Sequence, residues 1–183
     1  MTNIFEGKLV RLRAIEASDW ETHMQWDRDS EMARLLYEIP FPQSTLSTRH
    51  WAEGEAQRRE NGEEHRLQIE TLDGVLVGTM STQRCDLRCG TFMYGLAVIG
   101  EHQRKGYASE AIWLLLRYYF QERRYQKCNA EVFSFNQPSQ KLHESLGFTL
   151  EGRLRRMIYT NGEFHDALYY GITKEEFEAQ KAI

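Results

Sequence analysis

Gln103-Arg104-Lys105-Gly106-Tyr107-Ala108 joins a short apolar run, Phe92-Met93-Tyr94-Gly95-Leu96-Ala97-Val98-Ile99, to a helical pattern from Ser109 to Arg124. Ala111, Leu114, Leu115, Tyr118 and Tyr119 recur on one side of that helix. A strand feeding a loop with a central glycine, then a helix N-terminus, makes an anion cradle from successive backbone N–H groups. Gly106 admits a positive φ or the close approach of a phosphate. Gln103, Arg104 and Lys105 surround the loop with donors and charge. The outline is that of a pyrophosphate site. Two commoner phosphate loops are excluded, because neither Gly-x-x-x-x-Gly-Lys-Ser/Thr nor Gly-x-Gly-x-x-Gly after a strand occurs.

Working outward, Gln103, Gly106 and Ala108 meet the pattern Gln/Arg-x-x-Gly-x-Gly/Ala, and Ser109-Glu110-Ala111 continues it. Asn136-Gln137-Pro138-Ser139 and Leu146-Gly147-Phe148 follow in order. Glu151-Gly152 and Asn161-Gly162-Glu163-Phe164-His165-Asp166 come later, and Gly7-Lys8-Leu9-Val10-Arg11-Leu12-Arg13 stands at the front. This ordered set resembles the GNAT (Gcn5-related) N-acetyltransferase superfamily, and its ends are similar to the Rim-type, ribosomal-protein N-acetyltransferase-like branch. The likeness runs from about Gly7 to Phe177. It implies a mixed α/β fold: a central twisted, mostly antiparallel sheet with one splayed parallel strand pair, flanked by helices. Residues 1–183 are expected to form a single acetyltransferase domain.

Composition agrees with that expectation. A chain of 183 residues, 41% hydrophobic, suits one substantial core and is short for two domains. No apolar run approaches the roughly 20 residues that span a bilayer, and the N-terminus lacks the basic and apolar regions of a signal peptide. Three cysteines, Cys85, Cys89 and Cys128, are an odd number for a disulfide framework, and no second pair completes a zinc spacing. The reading is therefore cytoplasmic, with no metal. A net charge of −4 argues against nucleic acid as a partner and favours a cationic acceptor such as an amine. Arg153, Arg155 and Arg156 form the one basic cluster; they serve CoA phosphates or an acidic substrate, or are a solvated strand face.

Local patterns place the remaining elements. Leu9 to Ile15 reads as a half-buried strand, Ser18 as the cap of a helix carrying Trp20, Met24 and Trp26, and Ser30 as the cap of a helix from Glu31 to Tyr37. A third helix starts at Ser44 or Ser47 and runs to about Glu60. Strands over 66–71 and 75–83 flank Asp73-Gly74, and a strand over 89–99 carries Gly95 as a bulge. Strand 128–135, helix 138–146 ended by Gly147, a hairpin of 148–159 with 164–172 across Asn161-Gly162, and a helix capped by Thr173 complete the chain.

The resemblance also implies a site for acetyl-CoA as cosubstrate. Leu96, Ala97 and Val98 would offer backbone groups to pantetheine in the V between the splayed strands. Gln103, Arg104, Lys105, Gly106, Tyr107 and Ala108 would take the pyrophosphate, and Ser109 either bonds phosphate or caps the helix. Asn136 either fixes the CoA arm or caps the following helix. In the family the acid for the departing thiolate is commonly a tyrosine four residues before the glycine of Gly-Phe; here His143 stands in that position, with Ser139 one turn earlier as the fallback donor. The usual glutamate base is replaced by Met93, so Glu131 or water takes the amine's proton. Trp26, Tyr37, Phe41 and Tyr159 are candidate acceptor-lining residues, with Asp166 in the acceptor groove or capping the hairpin; Asp27, Asp29, Glu31 and Glu38 make the first of these regions acidic. The expected activity is direct acetyl transfer from acetyl-CoA to a primary amine, a protein N-terminal α-amino group on the Rim-type likeness. The alternatives are a polyamine or other small amine, or a CoA-binding module without catalysis. Edge strands permit a monomer or a homodimer.

Overall fold

The computed structural model describes residues 3–36, 39–58 and 62–180. Seven strands form one sheet in the order β1-β2-β3-β4-β5-β7-β6: β1 (Val10–Arg13), β2 (Arg66–Thr71), β3 (Leu76–Asp86), β4 (Thr91–Val98), β5 (Lys127–Phe133), β6 (Thr149–Thr160) and β7 (Glu163–Thr173). Six α-helices accompany them among the described residues: α1 (Trp20–Trp26), α2 (Ser30–Leu36), α3 (Thr45–Ala56), α4 (Tyr107–Gln121), α5 (Gln137–Ser145) and α6 (Lys174–Gln180). The sheet is antiparallel apart from β4 and β5, so the mixed α/β expectation holds.

Contacts group the chain into two compact units, Met1–Ser81 with Leu96–Ala111, and Thr82–Gly95 with Ile112–Ile183. The first buries Val10, Leu12, Ile15, Ile69, Val77 and Met80. Its basic strand is not solvated. Arg11 and Arg13 both reach the buried Glu70 carboxylate on β2, and Arg13 also forks onto Asp19 at 2.8 and 2.9 Å. The second unit is built on aromatic packing, with Phe92 stacked on Tyr119 at 4.2 Å and edge-on to Tyr125.

Most expected elements are present, with shifted ends. Ser18 does not cap α1: it lies in a 3-10 turn, and the Asp19 carboxylate instead accepts the Glu16 N–H at 2.8 Å. Asp29, not Ser30, caps α2 through the Met32 N–H; the expected end at Tyr37 lies outside the described residues. Ser44 caps α3, which stops at Ala56, ahead of the expected end at about Glu60, a residue that also lies outside them. Asn161 and Gly162 both adopt positive φ, 51° and 78°, as a tight two-residue hairpin turn requires. Thr173 caps α6, its hydroxyl accepting from the Glu176 N–H while the Glu176 carboxylate accepts from the Thr173 N–H. Among the described residues no helix is long and apolar enough to cross a membrane.

Candidate active site

The loop at 103–106 has the backbone of an anion cradle. Arg104 and Gly106 both take left-handed conformations, φ 61° and 85°, on either side of Lys105. The conformation is disfavoured for arginine and free for glycine, so the turn is imposed by its surroundings. At Gly106 a Cβ would come within 3.2 Å of the Leu9 side chain. Helix α4 begins directly at Tyr107, and by helix geometry the amides of Tyr107, Ala108 and Ser109 have no intrahelical acceptor. Ser109 is the third helical residue, so it does not cap the helix. Arg104 and Lys105 are exposed beside these amides. Gln103 is exposed as well, and its amide donates to the Val98 carbonyl at 3.0 Å, bracing the end of β4. There Ala97 is buried, Leu96 and Val98 are partly exposed, and the Ala97 carbonyl lies where a side chain on Gly78 would go.

A residue outside the sequence-derived set holds this loop in place. The Glu110 carboxylate accepts the backbone N–H groups of Lys8, Leu9 and Val10 at 2.8, 2.7 and 2.7 Å. A side chain on Gly7 would occupy the space of that carboxylate. Glu110 stands in the motif that follows the loop, but no local signal gives its partners, which lie about a hundred residues away.

In the second unit, the parallel ladder of β4 with β5 runs from Thr91↔Lys127 to Met93↔Asn129 and ends there. Tyr94 is the next residue of β4, so the pair opens ahead of Gly95. Its hydroxyl lies 2.8 Å from Nε2 of His143 on α5. His143 is 3% exposed, and burial pushes its pKa below the ordinary range, against the raising effect of the Ser139 carbonyl. That carbonyl, which can only accept, lies 2.7 Å from Nδ1, so Nδ1 carries the ring's proton and Nε2 accepts from Tyr94. Both ring nitrogens of the expected acid are thus engaged. The Ser139 hydroxyl, 3.4 Å from Nδ1, sits in the first turn of α5, where the Asn136 side chain caps by accepting the Ser139 N–H at 3.1 Å. Glu131 on β5 accepts the Tyr169 hydroxyl at 2.8 Å. Tyr94 and Tyr169 escaped the sequence reading because period-2 patterning gives a strand's faces, not the side chain met across them.

The acceptor candidates separate into packed and exposed groups. Trp26 packs against His23 at 4.8 Å, as an aromatic on a helix flank ordinarily does. Phe41 is 89% exposed, and Tyr159, 64% exposed, rests on Phe164. Tyr37 lies outside the described residues. Asp166 accepts from Arg153 Nε at 2.5 Å and from the Arg156 N–H at 2.8 Å, which holds its carboxyl below the usual range. Among the described residues no three His, Cys, Asp or Glu side chains gather as metal ligands.

The chain matches the family model for the acetyltransferase (GNAT) domain over residues 10–149. It is 40% identical over 172 residues to the SPbeta prophage-derived uncharacterized N-acetyltransferase YokL of Bacillus subtilis (strain 168), covering 94% of each chain. It is 26% identical over 167 residues to the L-amino acid N-acetyltransferase AaaT of Escherichia coli (strain K12), covering 90% of this chain and 98% of that one. Among solved structures, the spermidine N-acetyltransferase from Vibrio cholerae in complex with CoA and spermine has the same fold, with a TM-score of 0.80 over 92% of this chain and 98% of that one at 22% identity. Sheet, loop and helix order define an acetyltransferase of the GNAT class. The chain belongs to that family, is an N-acetyltransferase, and uses acetyl-CoA as its cosubstrate.

Proposed function

We propose that this acetyltransferase belongs to the Rim-type branch and transfers acetyl directly to an α-amino group, most aptly that of a protein N-terminus. The observation that carries the reading is the left-handed pair Arg104 and Gly106 at the start of a fifteen-residue helix. Its amides, with the Arg104 and Lys105 charges, suit a diphosphate better than any other ligand class. The α-amino assignment is supported by the Rim-type signature residues 161–166 and by the relative named an L-amino acid N-acetyltransferase.

The chemistry asks for little from the protein. The neutral amine bonds to the thioester carbonyl carbon, the C–S bond breaks, and the proton lost by the amine balances the one gained by the thiolate. Ser139, on the first turn of α5, is the donor to that thiolate, and His143 is a positioning residue that grips the Ser139 carbonyl. Glu131 takes the amine's proton through water. Release of free thiol from acetyl-CoA, assayed against N-terminal peptides, amino acids and polyamines, tests the reading. Turnover with α-amino acceptors, reduced about 10²-fold or more in Ser139→Ala, is expected. Turnover confined to polyamines would overturn it.

A further inference from the structure

The hairpin of β6 and β7 carries an irregularity that acetyl transfer itself does not require. Between the pairs Leu154↔Ala167 and Ile158↔His165, three residues, Arg155, Arg156 and Met157, stand opposite the single residue Asp166. The excess chain arches out, and Arg156 takes a left-handed φ of 58°. Asp166 ties the arch down through Arg153 Nε and the Arg156 N–H. The Arg156 guanidinium lies over the Phe164 ring at 4.6 Å. Two of the three arginines are thereby placed. Arg155 is exposed, and its charge acts on the Asp166 carboxylate with no hydrogen bond between the two among the described residues.

The result is an open recess lined by Arg153, Leu154, Arg155, Arg156, Met157 and Asp166. The charges of Arg153 and Arg155 act on the single Asp166 carboxylate there, flanked by two apolar side chains, in a protein whose net charge is −4. The recess is tied to the chemistry-bearing end of β5. Asp166 N–H donates to Ser134 Oγ at 3.1 Å, and Ser134 N–H donates to the Asp166 carbonyl at 2.9 Å. Two residues on, Asn136 caps the helix that carries Ser139.

We propose that this recess is an oxyanion subsite that takes a carboxylate carried by the acceptor close to its amine, with Arg155 as the specificity-determining residue. A planar guanidinium fork matches a carboxylate in two parallel hydrogen bonds, and Leu154 and Met157 accommodate the methylene beside it. The proposal rests on the α-amino reading and narrows it to acidic N-termini.

The test uses two peptides that differ only in Asp or Asn at the second residue, with their acetylated forms as non-reacting ligands. In the wild type the Asp peptide should show roughly tenfold higher kcat/KM, and the acetylated Asp peptide should bind correspondingly tighter in calorimetry. In Arg155→Gln both ratios should fall close to one. Equal turnover and equal affinity for the Asp and Asn peptides would overturn the subsite while leaving the α-amino reading intact. Absence of peptide turnover with turnover confined to polyamines would overturn the α-amino reading instead, and the calorimetric ratio would still judge the recess. If Arg155→Gln raised the KM of acetyl-CoA but not of its dephospho form, the anion would be the cofactor's phosphate and the proposal would fail.

Discussion

At the scale of single residues, the pair Tyr94 and His143 makes the sharpest claim. The Ser139 carbonyl fixes the proton on Nδ1, so Nε2 depends on the Tyr94 hydroxyl for its partner. Tyr94→Phe should therefore cost about 1–3 kcal/mol, the penalty of a buried acceptor without a donor. Adding His143→Leu should cost less than the sum of the two single changes, because the polar demand vanishes with the ring. Urea denaturation of the four proteins measures this coupling; strict additivity would refute it. The same residue sets a pH dependence. Burial holds His143 below its ordinary value of 6.5, so the unfolded chain binds a proton more readily than the folded one. Its contribution is complete above that value and is lost as pH falls through the lower, folded pKa. His23 is shifted the same way by burial, so His143→Gln should flatten the decline below pH 6.5 without abolishing it. The identity and place of His143 were legible in the sequence, four residues before Gly147. That both its nitrogens are engaged was not, since Tyr94 lies 49 residues away in the chain.

At the scale of elements, helix α4 and strand β1 behave as one device. Glu110, in the first turn of α4, gathers three consecutive amides of the segment entering β1, and Leu9 lies against Gly106. A carboxylate near the proposed diphosphate cradle would ordinarily oppose an anion, but three N–H donors spread its charge. Glu110→Ala should lower stability by about 2 kcal/mol, roughly 4–8 °C in a thermal melt. It should also raise the KM of acetyl-CoA more than it lowers kcat, since the change loosens the loop's support rather than the reacting groups. A melt shift with an unaltered KM would confine Glu110 to stability. Element boundaries followed local rules well. The Asn136, Ser44 and Thr173 caps, the turn at Asn161-Gly162 and the stop at Gly147 all depend on residues within a few positions of one another. At Ser30 the neighbouring Asp29 takes the cap, and at Ser18 the chain forms a 3-10 turn closed by Asp19, which Arg13 holds in place, while α1 has no side-chain cap.

At the scale of the whole molecule, the cosubstrate should act as a stabiliser. A ligand that binds only the folded chain adds about 2.7 kcal/mol at a hundredfold excess over Kd, so the melting temperature should rise with acetyl-CoA concentration. An unchanged melt at saturating acetyl-CoA would contradict the cradle assignment at 103–109. By itself the sequence determined the family, through its ordered motifs, and most of the strand and helix order together with the glycine turn at 103–106, because those local features rest on short-range backbone demands: a glycine able to reach positive φ, a helix N-terminus, a capping side chain. Tertiary structure alone decided which side chains meet. It joined Glu110 to residues 8–10, Tyr94 to His143, Tyr169 to Glu131 and Glu70 to two arginines, and it arched Arg155 to Met157 over Asp166. Such contacts follow from register and packing between distant segments, and the periodicity of any one segment carries no information about them.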